Sequence, residues 1–488
     1  MPGMEWNSGQ ARAILATTIL GSGMAMLDGT IVNVALPAIG HEFTASVSGL
    51  QWILDGYLLT LAALILIAGA LGDRYGRRRV FLIGVVWFGL ASLLCGLAPT
   101  TELLVLARVL QGVGGALLTP GSLAILQASF PRELRARAIG AWSGLSGLAA
   151  VLGPLVGGLL VQAGSWRLAF LINLPLAAVC VWLALKHVPE TASGDHERVD
   201  FLGSAVGALG LAGLTAALVE GPPRGIGDPL VLGCLVLGAA AMTVFVLMQV
   251  RGRHPLVPPQ LFANRTFVLS NGLTFLVYAA LGGVMMLLVL QLQVSLHYSP
   301  TAAGLAGLPI SLIMLVFSAR SGRLAQRFGP RLQLVLGPLL IAAGILLLNL
   351  VVPGASYLFG VLPGVLVFGA GLALAVAPVT ATVLAAAPEK HAGAASGVNN
   401  AVARTGGLLA VAVLPALAGL HGAEYANPVA LTAGWHIALT VCAALCAAGG
   451  LFAFGVDNRV LGQEKPADCL SCGVDAPPTH ANTASQNA

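Results

Sequence analysis

Few residues in this 488-residue chain could do chemistry. Asp28 interrupts the apolar run MAMLDGTIVNVALP (24–37), Asp55 lies between Trp52 and Tyr57, and Arg108 lies in LARVLQGVGGALLTP (106–120). The chain is 57% hydrophobic and 9% charged, against about 25% charged in soluble domains. An ionisable group inside a lipid-spanning segment is costly, so it tends to face the bundle interior or a wet cavity and to find a partner there. The chemistry open to two carboxylates and a guanidinium is proton exchange. Low dielectric favours the neutral acid, a nearby arginine favours the carboxylate, and a group balanced between them can gain and lose a proton. Arg108 keeps its charge throughout and would be the fixed term. A cationic ligand could compete for the same carboxylate. The plainer alternative is a static ion pair between two helices.

Other chemistry finds little support. No GxxxxGK[ST] loop occurs, so ATP is not expected as an energy source within the chain. The histidines lack metal-ligand spacing, and the isolated Ser, His and Asp residues suggest no hydrolase. Neither a metal nor a cofactor is expected. Of the seven cysteines, five fall in apolar runs, and Cys469 and Cys472 form a lone CLSC near the C-terminus. The N-terminal segment shows no cleavage pattern, so its apolar run is expected to stay as a helix.

The elements that must position these groups are apolar runs of about 20 residues, the length of a membrane-crossing helix. They recur at roughly 12–34, 51–71, 79–98, 102–127, 137–163, 167–186, 200–219, 228–250, 267–291, 300–320, 331–351, 355–385, 394–419 and 433–455, about 14 in all. Basic residues alternate with them. Placing the N-terminus inside puts Arg74, Arg77, Arg78, Arg79, Arg132, Arg135, Arg137, Arg251, Arg320, Arg323, Arg327 and Arg331 in inner loops. Arg167 and Arg224 fall outside, and Arg108 and Arg404 lie within spans. This bias implies that both termini are inside, and it explains the net charge of +5 without nucleic acid. In this frame Asp28 and Arg108 lie about 9 Å from the outer ends of their spans and Asp55 about 6 Å, which implies one shared layer.

The chain also repeats itself. GALGDRYGRRR (69–79) aligns without gaps with GRLAQRFGPRL (322–332), pairing Gly69 with Gly322, Arg74 with Arg327, Gly76 with Gly329 and Arg78 with Arg331. Asp73 meets Gln326. Likewise QGVGG (111–115) aligns with FGAGL (368–372), which puts Val365 where Arg108 stands. The expected fold is an all-α polytopic membrane protein built from two six-helix bundles and two extra helices. Its expected divisions are 12–186, a first bundle; 187–265, a loop, two inserted helices and a linker; 266–455, a second bundle; and 456–488, a disordered inner tail. Duplicated halves of this kind enclose a central site.

Further candidates follow from type and place. Gly69, Arg74, Gly76, Arg77 and Arg78 form a tight basic turn. Gly153, Pro154, Gly157 and Gly158 imply a kinked, closely packed fifth span. Asn33, Phe275, Tyr278, Met285, Asn400 and Arg404 are candidates for a substrate cavity. For Arg404 the alternative is a partner to a backbone carbonyl, and for the apolar residues ordinary packing.

In this order, LDGTIVNVALP, GALGDRYGRRR, LARVLQGVGGALLTP, GLSGLAAVLGPLVGGLL (144–160), SWRLAFLINLP (165–175) and DFLGSAVGAL (200–209) resemble the 14-helix drug:proton antiporter branch of the major facilitator superfamily. The resemblance covers residues 12 to 455. It implies that Asp73 latches the two halves on the cytoplasmic side. It also implies that the fifth span limits leak and so favours exchange. The expected activity is proton-driven export of small amphipathic, often cationic drugs through a bacterial cytoplasmic membrane. The expected partners are the substrate, protons and lipid. Export of an endogenous metabolite or a specific antibiotic on the same fold is the nearest alternative. A membrane sensor or intramembrane enzyme would need a soluble domain or polar catalytic cluster that the sequence lacks.

Overall fold

In lipid a backbone must satisfy its own N–H and C=O groups, so apolar runs of this length fold as helices. The computed structural model describes residues 6, 8–191, 200–225, 227–252, 259–388, 392–420 and 427–461, among which there are helices and no strands. In chain order the first half contains α1 (Gly9–Phe43), α2 (Val47–Tyr75), α3 (Arg77–Leu97), α4 (Thr101–Ser129), α5 (Arg132–Gln162) and α6 (Leu168–His187). Then come α7 (Phe201–Arg224) and α8 (Pro229–Arg251). The second half contains α9 (Arg265–Ser295), α10 (Pro300–Ala306 and Leu308–Phe328), α11 (Arg331–Leu350), α12 (Tyr357–Ala385), α13 (Ala392–Leu417) and α14 (Pro428–Phe452). Among the described residues, 13 helices are long and apolar enough to cross a membrane. Helix α5, with 31 residues, is about as long as α4 with 29. Most of the tail, with Cys469 and Cys472, lies outside the described residues.

The repeat read from sequence is a repeat of packing. A side chain at Gly114 would collide with the backbone of Phe88, and one at Gly371 with the backbone of Ile341, so α4 lies on α3 as α12 lies on α11. The basic turns also correspond. Gly76 (φ 106°) and Gly329 (φ 85°) hold backbone that other residues rarely adopt. Arg78 Nη1 donates to the Val188 carbonyl (3.0 Å), and Arg331 Nη2 donates to the Val456 carbonyl (2.7 Å). Two residues further on, Glu190 accepts from the N–H groups of Arg78 and Arg79, and Asn458 accepts from that of Arg331. Each half thus ties its basic turn to the chain leaving its last helix.

The two ends of the bundle differ. At the end bearing the α1–α2 turn, one apolar cluster runs across both halves, from Leu36, Ile39 and Ile53 to Leu287, Leu290 and Leu420. Polar contacts cross the same seam: Gln293 Nε2 to the Val34 carbonyl (3.2 Å), Gln51 Nε2 to the Val411 carbonyl (2.7 Å) and Thr301 Oγ1 to Gln162 Oε1 (2.6 Å). At the other end each half keeps its own core, Phe81, Val85 and Phe130 in the first and Phe267, Val383 and Ala395 in the second. The halves are therefore sealed together at one end. Helix α7 covers the seam from the side, with Leu211 against Leu59 and Ala62 of α2 and Leu408 of α13. Glu220 of α7 accepts from the Trp52 indole (2.9 Å) and pairs with Arg224. Helix α8 leaves Val236, Leu237 and Val250 exposed, as a lipid-facing helix would.

Candidate functional site

Helix α1 continues through Pro37 to Phe43. The proline removes one backbone bond without ending the helix, because the apolar flank runs on through Ala38 and Ile39. Asp28 thus lies near the middle of α1, while its partner Arg108 stands seven residues into α4, so α1 overreaches its neighbours at that end and the pair keeps to one layer near it. It is fully buried, and Arg108 is 1% exposed.

A closed network surrounds this pair. Arg108 Nη1 donates to Asp28 Oδ2 at 2.5 Å and to Gln111 Oε1 at 2.6 Å, while its Nε donates to the Ile53 carbonyl at 2.9 Å. Gln111 Nε2 donates to Asp28 Oδ1 and to Ser92 Oγ, both at 2.8 Å. Asn173 Nδ2 reaches Asp28 Oδ1 at 3.2 Å. The guanidinium carbon lies 4.3 Å from the centroid of the Tyr57 ring. Arg108 and Gln111 stand three residues apart and so share a face of α4. Gly112 beside them lets α2 approach, since a side chain there would meet the Tyr57 carbonyl. An ionised carboxylate only accepts hydrogen bonds, and every group bonded to Asp28 donates. Gln111, Ser92 and Asn173 were not singled out from sequence. Gln111 and Asn173 are polar residues inside the apolar stretches LARVLQGVGGALLTP and SWRLAFLINLP, which is a weak signal. Ser92 carried none.

Asp55 does not join this network. Ile53 and Tyr57 turn toward α4, whereas Gln51, one turn before Asp55 on its own face, bonds to α13. Asp55 is fully buried, and neither carboxylate oxygen has a hydrogen-bond partner among the described residues. The expected three-membered cluster is a pair, with a lone acid at the seam between the halves.

The basic turn joins α2 to α3, with Gly69 beside Pro120. Arg74 is exposed, with its guanidinium 5.3 Å from the Tyr75 ring centroid, and the Arg77 N–H donates to the Thr191 carbonyl. The side chain of Asp73 lies outside the described residues. On α5, Gly157 packs on Ile31 of α1, Gly153 faces Thr30, and Gly158 abuts Thr301 of α10. The Pro154 carbonyl meets Gly304, so this helix makes close contacts in both halves.

The cavity candidates separate. Asn33 donates to the Gly29 carbonyl on its own helix (3.2 Å), and exposed Asn400 likewise to Ser396 (3.0 Å). Phe275, Tyr278 and Met285 are half-buried on α9, where the α9 backbone at Phe275 and Tyr278 packs against Gly406 and Gly407 of α13. Arg404 is half-buried and interacts electrostatically with Tyr57 and Tyr278, from opposite halves. Among the described residues it makes no ion pair.

Comparison with known proteins agrees with this architecture. The family model described as Major Facilitator Superfamily matches residues 18–411 and 271–469. The chain is 38% identical over 411 residues to the puromycin resistance protein of Streptomyces alboniger, covering 82% of this chain and 80% of that protein. It is 36% identical over 401 residues to the multidrug resistance protein Stp of Mycobacterium tuberculosis, covering 82% and 74%. Among solved structures, a bacterial homologue of the human lysosomal transporter Spinster, inward-facing and unoccupied, aligns at TM-score 0.65 and 20% identity over 93% of this chain and 97% of that one.

Proposed function

Because this chain belongs to the Major Facilitator Superfamily, we propose that it exports small amphipathic compounds in exchange for protons by alternating access. The relatives named above are resistance proteins, which supports efflux through a multi-pass membrane protein. The observation that carries proton coupling is the buried Asp28 carboxylate, bonded to the permanently charged Arg108 inside the first half. With the basic turns placed in the cytoplasm, the sealed end is the outer one and the structure faces inward. The proposed membrane is then the bacterial cytoplasmic membrane, crossed by 14 helices in all if α5 joins the 13.

Asp55 gives the second half of the cycle. An ionised carboxylate without partners is expensive to bury, so the outer seam closes over the neutral acid. Opening the seam wets Asp55 and lets it exchange its proton with the outside. Asp28 then exchanges protons with the inner side when substrate arrives. Arg404 and Asn400 on α13, with Tyr278 and Phe275 on α9, form the proposed substrate wall. Asp73 is proposed to latch the inner side when the outer side opens.

Proteoliposomes with an imposed proton gradient test this reading. Ethidium movement should follow the gradient in the natural chain and stop in Asp28→Asn, with the variant still eluting as a folded protein. Gradient-dependent export by Asp28→Asn at the natural rate would remove Asp28 from the mechanism. Transport indifferent to the gradient in both would remove the antiport.

A further inference from the structure

The outer seam is built on a carbonyl that its own helix cannot satisfy. Pro415 lies inside α13 and has no N–H, so the Val411 carbonyl four residues earlier loses its helical donor. A buried, unpaired carbonyl is destabilising. Gln51 of α2 supplies the missing donor, with Nε2 2.7 Å from the Val411 oxygen and 3.2 Å from that of Ala412. Gln51 is 4% exposed, so this bond is made out of water. It joins the first half to the second, one turn outward from Asp55 on the same face of α2.

We propose that Gln51 is the positioning residue of the outer seam: it grips the carbonyl freed by Pro415 and thereby sets how strongly the chain prefers the outer-sealed arrangement. This rests on the alternating-access reading above. Two features support a contact that is made and broken. When the seam opens, water can take over both partners, so neither is stranded. A small cavity lined by Ser46, Ser48, Gln51, Pro222 and Pro415 already adjoins the bond and offers water a way in. A carbonyl with a complete helical bond would gain less from the glutamine, so the proline gives the contact its strength.

The test is a two-residue cycle read by distance. Spin labels are placed at His41→Cys and Leu417→Cys, in the full chain with Cys234, Cys469 and Cys472 changed to serine, reconstituted in lipid. Pulsed EPR then reports the short, sealed separation and the long, opened one. Gln51→Leu keeps the volume and removes the donor, and should raise the ratio of opened to sealed protein about tenfold. Pro415→Ala restores an N–H for Val411, so in that background Gln51→Leu should change the ratio far less. The proposed role of Gln51 is overturned if Gln51→Leu leaves the ratio unchanged, or if its effect is as large in the Pro415→Ala background. Should the natural chain keep one separation in acidic and alkaline buffer and with ethidium present, alternating access itself fails, and the role of Gln51 fails with it.

Discussion

The two halves share a backbone plan and divide the chemistry unequally. Gly114 and Gly371 bring corresponding helices together, and Gly76 and Gly329 turn corresponding loops. Yet where the first half buries Arg108 and Gln111 on α4, the second half buries Val365 and Phe368 at the aligned positions of α12. The network and its apolar counterpart occupy the same place against the same kind of neighbour. A duplicated fold can therefore keep its packing while one copy takes up charge and the other sheds it. The first half becomes the proposed proton-handling part, and the second supplies α13, with its freed carbonyl and Arg404.

Making the first half resemble the second should produce the largest effect. Arg108→Val copies the counterpart and leaves Asp28 buried without its charged partner. Breaking a buried pair in this way costs about 3–5 kcal/mol. The variant should lose much of its thermal stability in detergent and all gradient-driven transport, whereas Val365→Ile should do neither. Addition of Asp28→Asn to Arg108→Val should restore part of the stability and none of the transport. If Arg108→Val were as stable as the natural chain, the pair would not be the centre of the first half.

A smaller effect separates shared packing from unshared chemistry. A methyl at Gly114 would lie 2.6 Å from the Phe88 nitrogen and one at Gly371 2.5 Å from the Ile341 nitrogen. Overpacking of this kind costs about 1–3 kcal/mol. Gly114→Ala and Gly371→Ala should lower the melting temperature by similar amounts. Transport should fall further in Gly114→Ala, because Gln111 and Arg108 ride on the same helix. Equal losses of transport would mean that the network tolerates a shift of α4.

Much of this was legible in the sequence, and what was not has physical reasons. Charges in apolar runs stand out because lipid makes them costly, so Asp28, Asp55 and Arg108 were readable as a set. Position along a helix axis follows from residue count, but facing depends on which neighbour each side of the helix meets. That is why Asp55 was expected beside Arg108 and is found against α13. The first apolar run is bounded at about residue 34 by its composition, and only the surrounding bundle shows that α1 continues through Pro37 to Phe43. Gln51 gave no warning, because its significance depends on Pro415, more than three hundred residues away in the chain. The turns at Gly76 and Gly329 were visible as a repeat. Their partners Glu190 and Asn458 were not, because one is an acid and the other an amide and only their places correspond.

That last difference yields the smallest prediction. In the first half the residue holding the turn is an acid, with Arg78 Nε 3.8 Å from Glu190 Oε2; in the second it is neutral Asn458. Both members of the ion pair are about a third exposed, so solvent and salt weaken it, and such pairs contribute about 0–1 kcal/mol. Glu190→Gln removes the charge and keeps one of the two oxygens that accept from the N–H groups of Arg78 and Arg79. It should lower the melting temperature slightly in dilute buffer, with the difference shrinking, though not to zero, in high salt. Glu190→Ala also removes the acceptor at the start of α3, so its deficit of about 1 kcal/mol should persist in high salt. Asn458→Ala should behave like Glu190→Ala and show no salt dependence, since the second half has no charge to screen at that position. A salt-dependent loss at Asn458 would show that the two turns are held by the same force after all.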